Sequence, residues 1–322
     1  MTSPRPPQRL RSPIDAVHAI PNSLGFTPES SLVVVTLTEA REIGLVARVD
    51  LAAMEAPEQW LDGLRRAIRN CAPRGSLILC AYTQSGGEAV AIEALHALMP
   101  LVTGARHPIS YRILVSGDRF RVLDETPESW HSVTHSRLPR RHSLVDELAP
   151  ADKSDRTHVE VLVRQASPVT DDGRDVAIAH ALDVINATSA SPDDLALLLV
   201  GLRDVRVRDT VLWDVMHQRP RTWSRVAESL ARAVRLAPAT HAAPAATLLS
   251  ILRWQMGDGT RAVIALERAL EAEPDYSLAH LIDAAIAGGL HPYIWREGLA
   301  DLSREACRGR EIPSRTWVSG RV

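Results

Sequence analysis

Two charged residues, Arg48 and Asp50, alternate with apolar residues near the end of the segment Gly44 to Leu51. If this segment is a β-strand, both side chains lie on one face, because successive side chains of a strand point to opposite faces. An arginine and an aspartate placed in this way could bind a phosphate, a carboxylate or the backbone of a partner, since ligand sites of α/β sheets form at strand ends. The same residues could instead form a structural ion pair that fixes the end of the sheet, and the sequence favours this second interpretation.

A turn that precedes the first apolar strand segment contains Gly25, Ser30 and Ser31. Backbone amides and hydroxyls in such a turn could hold an anion. The turn has neither the GxxxxGKS/T pattern of a P-loop nor the GxGxxG pattern of a dinucleotide site. We therefore predict that its hydroxyls hydrogen-bond nearby backbone groups, and we keep Gly25 and Ser31 as candidate ligand- or partner-binding residues beside Arg48 and Asp50.

The segment from Trp130 to His142 is rich in basic side chains. His131 and His135 are four residues apart and could chelate a metal on a helix, but no cysteine lies near them in the sequence. The second half of the segment could contact nucleic acid or an acidic protein through the basic patch Arg137, Arg140, Arg141 and His142. A single short basic run usually faces solvent, so the sequence predicts a solvated loop and no metal site.

The sequence contains no recognisable catalytic or cofactor motif: it has no GxSxG elbow, no HExxH and no paired cysteines. Cys71, Cys80 and Cys307 are too few for a disulfide framework, and they predict a reducing compartment. A second charged run is typical of the solvent-facing side of a helix with intrahelical ion pairs; it consists of Arg203, Asp204, Arg206, Arg208 and Asp209. We therefore predict no cofactor.

The composition is that of a globular protein, with 45% hydrophobic and 24% charged residues. A formal net charge of −2 provides no global field that would attract nucleic acid or an anionic membrane, and 4% aromatic residues leave few stacking platforms for bases. No apolar run approaches the roughly 18 residues that span a bilayer. The basic, proline-rich residues 1–13 lack the apolar centre of a signal peptide. We expect a cytoplasmic protein that binds protein partners rather than nucleic acid or membrane.

The elements that must position these residues alternate between apolar strands and amphipathic helices. Strands are predicted at 32–37, 44–51, 77–82, 111–115 and 120–123, and helices at 57–70 and 88–102. A short helical turn at 14–20 is expected to stop at Pro21. The order β-β-α-β-α-β-β predicts an α/β N-terminal domain, in which helices cover a mixed, partly parallel sheet with antiparallel edges.

The remainder of the chain predicts an all-α C-terminal helical domain. Residues 125–157 show no firm periodicity, which indicates a linker or a long loop. Within the helical part, the spacing of a tetratricopeptide-like helix pair is found at Gly257, Ala262, Leu266, Ala269 and Pro274. The predicted organisation is a disordered basic arm at 1–13, an α/β domain at 14–124, the linker or loop at 125–157, a helical domain at 158–306 and a tail at 307–322.

Several segments together resemble an uncharacterised actinobacterial family, domain-of-unknown-function family 4192. They are SLGF with SSLVVV, ARVDL, VRDTVLW, WQMGDGTRAVIALERALEAEPDYSLA and GLHPYIW. The resemblance runs from about Ala16 to Leu302. It implies one recurring architecture and no established activity, cofactor or catalytic residue.

These features favour a non-enzymatic protein-interaction or adaptor module, in which helix pairs offer a groove to a peptide or a partner helix. The alternative is a small-molecule or nucleotide-handling enzyme with a pocket at the strand ends near Arg48 and Asp50. A second alternative is weak nucleic-acid contact through the basic Trp130–His142 segment. The sequence leaves the partner and the oligomeric state open.

Overall fold

The computed structural model describes residues 9–71, 74–102, 107–126, 129–134, 138–300 and 302–309, and these form two compact units. The α/β unit comprises the described residues up to Leu144, together with Ala284–Leu290. The helical unit comprises Val145–Asp283 and the described residues from His291 onward.

In the described residues, six strands form one mixed sheet in the order β2-β1-β3-β4-β5-β6. The strands are β1 (Ser31–Leu37), β2 (Ile43–Asp50), β3 (Ser76–Thr83), β4 (Ile109–Ser116), β5 (Arg119–Val122) and β6 (His131–Ser132). Neighbours pair antiparallel except β3 and β4, which are parallel. The predicted mixed sheet with antiparallel edges is confirmed.

Helices cover both faces of this sheet. The helices of this unit are α1 (Pro13–Leu24), α2 (Leu61–Cys71), α3 (Glu88–Val102) and α4 (Arg141–Asp146), the last of which continues into the helical unit, and short 3₁₀ turns occupy Leu51–Glu55 and Pro57–Gln59. Helix α1 packs on the face that carries Val33 and Val35, whereas α2 and α3 pack on the face that carries Leu32 and Val34. Strand β1 is buried along its whole length because it has apolar side chains on both faces.

Helix α1 is longer than predicted because Pro21 does not stop it. The helix continues to Leu24 with Pro21 inside it and ends where Gly25 adopts a left-handed conformation at φ +75°. The Gly25 amide donates a 2.8 Å hydrogen bond to the Pro21 carbonyl, as in an αL helix cap. A proline removes only one helical donor, and burial of Val17 and Ile20 against the sheet stabilises the helix on either side of it.

Several segments are more ordered than the sequence predicts. Leu10, which falls within the predicted disordered arm, is 1% exposed and belongs to the core under α1. Residues 1–8 lie outside the described residues. The predicted linker or loop at 125–157 contains β6, α4 and the start of α5 (Lys153–Gln165). A two-residue strand and a six-residue helix are too short to produce a readable periodicity.

The helical unit continues along the chain after α5. Its further helices are α6 (Arg174–Asn186), α7 (Pro192–Gly201), α8 (Val205–His217), α9 (Trp223–Leu236), α10 (Ala239–Gln255), α11 (Gly259–Ala272), α12 (Ser277–Ala287, which continues into the α/β unit), α13 (Pro292–Ala300) and α14 (Arg304–Cys307). In the described part of the chain, no strand follows Ser132 and no helix is both long and apolar enough to cross a membrane. Ser191, Asp204 and Asp258 cap α7, α8 and α11 with their side chains. The predicted helical region is confirmed.

Helix α10 lies at the centre of the helical unit and packs against both α9 and α11. Its alanines Ala242, Ala243, Ala245 and Ala246 are fully buried and allow these neighbours to approach closely. Helices α10 and α11 form the helix pair that the sequence predicts, with Ala262, Leu266 and Ala269 buried along α11. Its classification as tetratricopeptide-like stays a prediction.

One residue of the charged run at 203–209 differs from expectation. Arg208 was expected on a solvent-facing helix side, but it is only 9% exposed. Its guanidinium instead packs 5.7 Å from the ring centroid of Tyr276, which follows α11. Because Tyr276 is 68 residues further along the chain, the helix period alone could not reveal this partner.

Candidate functional site

Arg48 and Asp50 bind each other at the end of β2. The Arg48 guanidinium donates to both carboxylate oxygens of Asp50, at 3.0 Å from Nη1 to Oδ2, and its Nε donates to the Ser31 hydroxyl at 2.8 Å. The same guanidinium lies 6.0 Å from the ring centroid of Phe26. The Arg48 side chain is 15% exposed and that of Asp50 is 61% exposed. This arrangement fits the ion-pair interpretation, because the arginine is largely enclosed by its own partners.

The turn around Gly25 and Ser31 also uses its polar groups internally. Gly25 caps α1, and the Ser31 hydroxyl donates to the Glu29 carbonyl at 2.5 Å. Ser30 adopts φ +42°, and its carbonyl accepts a hydrogen bond from the Leu51 amide at 2.9 Å. The turn thus ties α1 to the ends of β1 and β2, and a ligand-binding role for Gly25 or Ser31 stays a prediction.

The basic patch at 137–142 lies partly against the same turn. The Arg140 guanidinium pairs with Glu29 at 3.2 Å, and the Thr27 amide donates to the Pro139 carbonyl at 3.0 Å. Arg141 begins α4 and His142 is exposed. Arg137 lies outside the described residues.

Of the two histidines that could chelate a metal only if they shared a helix, His131 lies on a strand instead. His131 belongs to strand β6 and packs at 5.2 Å, ring to ring, against Phe120. His135 lies outside the described residues. Among the residues that the structure describes, no cluster of three or more histidine, cysteine, aspartate or glutamate side chains could hold a metal ion.

The carboxyl ends of the parallel strands β3 and β4, a frequent ligand site in α/β sheets, carry a carboxylate of the chain itself. Glu88, the first residue of α3, accepts hydrogen bonds from the Gly86 amide at 2.8 Å and from the Ser116 hydroxyl at 2.6 Å. The Ser116 bond, together with the backbone bonds, holds the pKa of Glu88 below its ordinary value. A negative charge therefore already lies where a phosphate would otherwise be favoured.

A cleft of about 480 Å³ lies at the opposite end of β1 and β2 from Arg48 and Asp50. It is lined by Thr38, Glu39, Ala40, Glu42, Cys71, Arg74 and Gly75. Partial burial raises the pKa of the Cys71 thiol, which makes it a poorer nucleophile at neutral pH. None of the residues predicted to form a site lines this cleft.

A different arrangement is found on the last two strands of the sheet. Trp130 directly precedes β6 and is 38% exposed. The guanidinium carbons of Arg119 and Arg121 lie 5.3 Å and 5.2 Å from the centroid of its ring. Cations at this distance from an indole are attracted by its ring quadrupole. We call the residues Arg119, Arg121, Trp130 and Ser132 the Trp130 edge.

Strand pairing explains how the Trp130 edge is assembled. Arg119 is opposite Ser132, and Phe120 is opposite His131. Arg119 and Arg121 therefore share one face of β5, whereas Phe120 and Val122 point into the core under α1. The alternation Arg-Phe-Arg-Val indicates this division in the sequence, but no motif there marks the two arginines as site residues. Their approach to Trp130 depends on β6, which the sequence did not predict.

Comparisons with known proteins give one match. A family model described as "Domain of unknown function (DUF4192)" matches residues 13–293. No curated protein and no solved structure matches the chain.

Proposed function

We propose that the chain, which belongs to this family of unknown function (DUF4192), is a non-enzymatic protein-interaction module that binds a partner through the Trp130 edge. The observation that carries the proposal is an exposed tryptophan held beside two arginines at one edge of the sheet. We place this activity in the cytoplasm, because the three cysteines are unpaired, as is usual in a reducing compartment.

The residue types at this edge are those that contribute most to protein interfaces. Tryptophan and arginine are enriched among the few residues that supply most of the binding free energy. Here the indole is held in place by neighbouring guanidiniums, so that less side-chain entropy is lost when a partner binds. A tryptophan side chain of restricted motion beside an edge strand is therefore well suited to binding a partner protein.

The enzyme alternative has less support from the geometry. It required Arg48 and Asp50 to present polar groups to a pocket, but Arg48 is engaged by Asp50, Ser31 and Phe26. The cleft described above lies at the other end of these strands. The nucleic-acid alternative is weakened in the same way at Arg140, which pairs with Glu29.

Photo-crosslinking in cells tests the proposal. A photoreactive amino acid at Thr134, which is exposed beside β6, should give discrete cross-linked products. The same amino acid at Arg156, exposed on α5, serves as the matched control. We expect the products at position 134 to disappear in the Trp130→Ala background. Identical products at both positions, or products that Trp130→Ala leaves unchanged, would count against the Trp130 edge as the binding surface.

A further inference from the structure

The partner of the Trp130 edge can be described more closely, on the condition that the proposed function is correct. We infer that the partner contributes an extended, acidic segment that pairs with β6 as an additional strand of the sheet. Two independent observations carry this inference: the direction of the backbone groups of β6 and the sign of the charges beside them.

The backbone of Ser132 points away from the sheet. The Val133 amide donates a 2.7 Å hydrogen bond to the Asp118 carbonyl, so Val133 and Asp118 form a hydrogen-bonded antiparallel pair. In an antiparallel ladder such pairs alternate with pairs that do not exchange hydrogen bonds. The next pair, Ser132 with Arg119, is therefore of the second kind, and the Ser132 N–H and C=O are directed toward the outer edge. No strand of the described residues covers that edge.

An exposed strand edge of this kind accepts an extended peptide through main-chain hydrogen bonds. Because β6 has only two residues, few such bonds can form. The side chains of the Trp130 edge must then supply most of the affinity and all of the selectivity.

The side chains beside this edge favour negative charge. Arg119 is exposed, and Arg121 lies two residues further along the same face of β5. The carboxylate of Glu88, which Arg119 influences electrostatically, already accepts two hydrogen bonds of its own. Arg119 and Arg121 thus place two positively charged groups beside Trp130 on this face of the sheet. Alternate residues of an added strand would face these guanidiniums, which favours a glutamate or aspartate at every second position.

Single-stranded nucleic acid would also satisfy an aromatic ring flanked by arginines. It has no backbone donor and acceptor pair that matches the outward N–H and C=O of Ser132. The peptide is therefore the ligand that uses all the features of the edge, and nucleic acid serves as a competing outcome of the test.

Fluorescence anisotropy on the full chain provides the test, with three labelled probes. The first is a short peptide in which glutamate alternates with threonine, the second replaces every glutamate by glutamine, and the third is a single-stranded oligonucleotide. We expect the glutamate peptide to bind about tenfold more tightly than the glutamine peptide and to weaken as salt is added. Stronger binding of the oligonucleotide, or equal binding of the two peptides, would overturn the inference.

Proline substitution separates the backbone contribution from the side chains. Ser132→Pro removes an N–H that points outward, so the fold should persist, since proline is tolerated on an edge strand in that position. Val133→Pro removes the N–H bonded to Asp118 and should lower the melting temperature. We expect Ser132→Pro to weaken binding of the glutamate peptide several-fold. If Ser132→Pro binds like the unmodified protein, strand addition is excluded.

Charge removal gives a variant that does not alter the backbone. Arg119→Gln together with Arg121→Gln should weaken binding of the glutamate peptide by about tenfold, whereas Arg156→Gln on α5 should leave it unchanged. An unchanged affinity in the double variant contradicts an acidic partner. If cross-links form at position 134 while both peptides fail to bind, the inference fails and the proposed function stands; if no specific cross-link forms, the proposed function itself fails.

Discussion

The guanidinium of Arg208 donates a 2.7 Å hydrogen bond to the hydroxyl of Tyr276 inside the helical unit. Arg208 lies in α8, and Tyr276 lies between α11 and α12. Asp209 accepts a second hydrogen bond from the same guanidinium at 2.8 Å. The VRDTVLW and GDGTRAVIALERALEAEPDYSLA segments, which resemble the family, are thus joined through one buried arginine.

The first prediction concerns this bond. Tyr276→Phe leaves a buried charged donor without its acceptor, so we expect the free energy of unfolding to fall by about 1–2 kcal/mol. Tyr293→Phe is the matched control, because Tyr293 is 50% exposed. Removing its hydroxyl should change the free energy of unfolding by less than about 0.5 kcal/mol. Urea unfolding followed by circular dichroism measures both. Equal effects of the two variants would show that the Arg208–Tyr276 bond is energetically unimportant.

The second prediction concerns Asp204, which caps α8 and pairs with Arg174 at 3.1 Å. Burial alone would raise the pKa of Asp204, but hydrogen bonds from Arg174 and from the Val207 and Arg206 amides lower it below the ordinary value of 3.8. A lowered folded-state pKa contributes stability that is fully present above pH 3.8 and is lost as the pH falls through the folded value.

Asp204→Ala removes both the cap and the ion pair, whereas Asp204→Asn keeps a cap acceptor and removes only the charge. At neutral pH we expect losses of about 2 kcal/mol and about 1 kcal/mol respectively. The difference between the unmodified protein and Asp204→Asn should shrink as the pH is lowered below 3.8 in unfolding titrations. A difference that is constant from neutral to acid pH would contradict the assigned role of the charge.

The third prediction compares two glycines. A Cβ atom on Gly44 would lie 2.8 Å from the Thr36 hydroxyl and 2.9 Å from the Cys71 carbonyl oxygen, and that carbonyl belongs to the backbone. Gly44→Ala should therefore destabilise the protein by about 1–3 kcal/mol. A Cβ on Gly259, at the start of α11, meets nothing within 4 Å, so Gly259→Ala should be neutral or stabilise by up to about 1 kcal/mol. Differential scanning calorimetry measures the melting temperature of both variants. Similar shifts of the melting temperature in Gly44→Ala and Gly259→Ala would refute the steric argument.

The sequence predicts the elements whose side chains repeat over several residues. Strand β1 and helix α3 have long apolar patterns, and both lie within a residue of the predicted bounds. The sequence predicts α1 too short, because a proline usually ends a helix, whereas here the burial of neighbouring residues outweighs the hydrogen bond that Pro21 cannot donate. Strand β6 could not be predicted, because its stability comes from pairing with β5 and not from a pattern of its own.

For the same reason, the candidate site could be predicted only in part from the sequence. Arg48 and Asp50 are two residues apart, so their proximity follows from strand geometry. Trp130 and Arg119 are brought together by a strand pairing that spans a segment without periodicity. Local patterns specify which face a side chain occupies, but they do not specify which distant segment lies beside it.

Helix α10 has a further consequence for the motions of the chain. Nearly all of its side chains from Ala242 to Trp254 are buried between α9 and α11. Its backbone amides therefore have no route to solvent through a local opening, and they should exchange with deuterium only when the whole helical unit unfolds. The slowest-exchanging protons of that unit would then mark its innermost helix, and the exchange rate there would report its global stability directly.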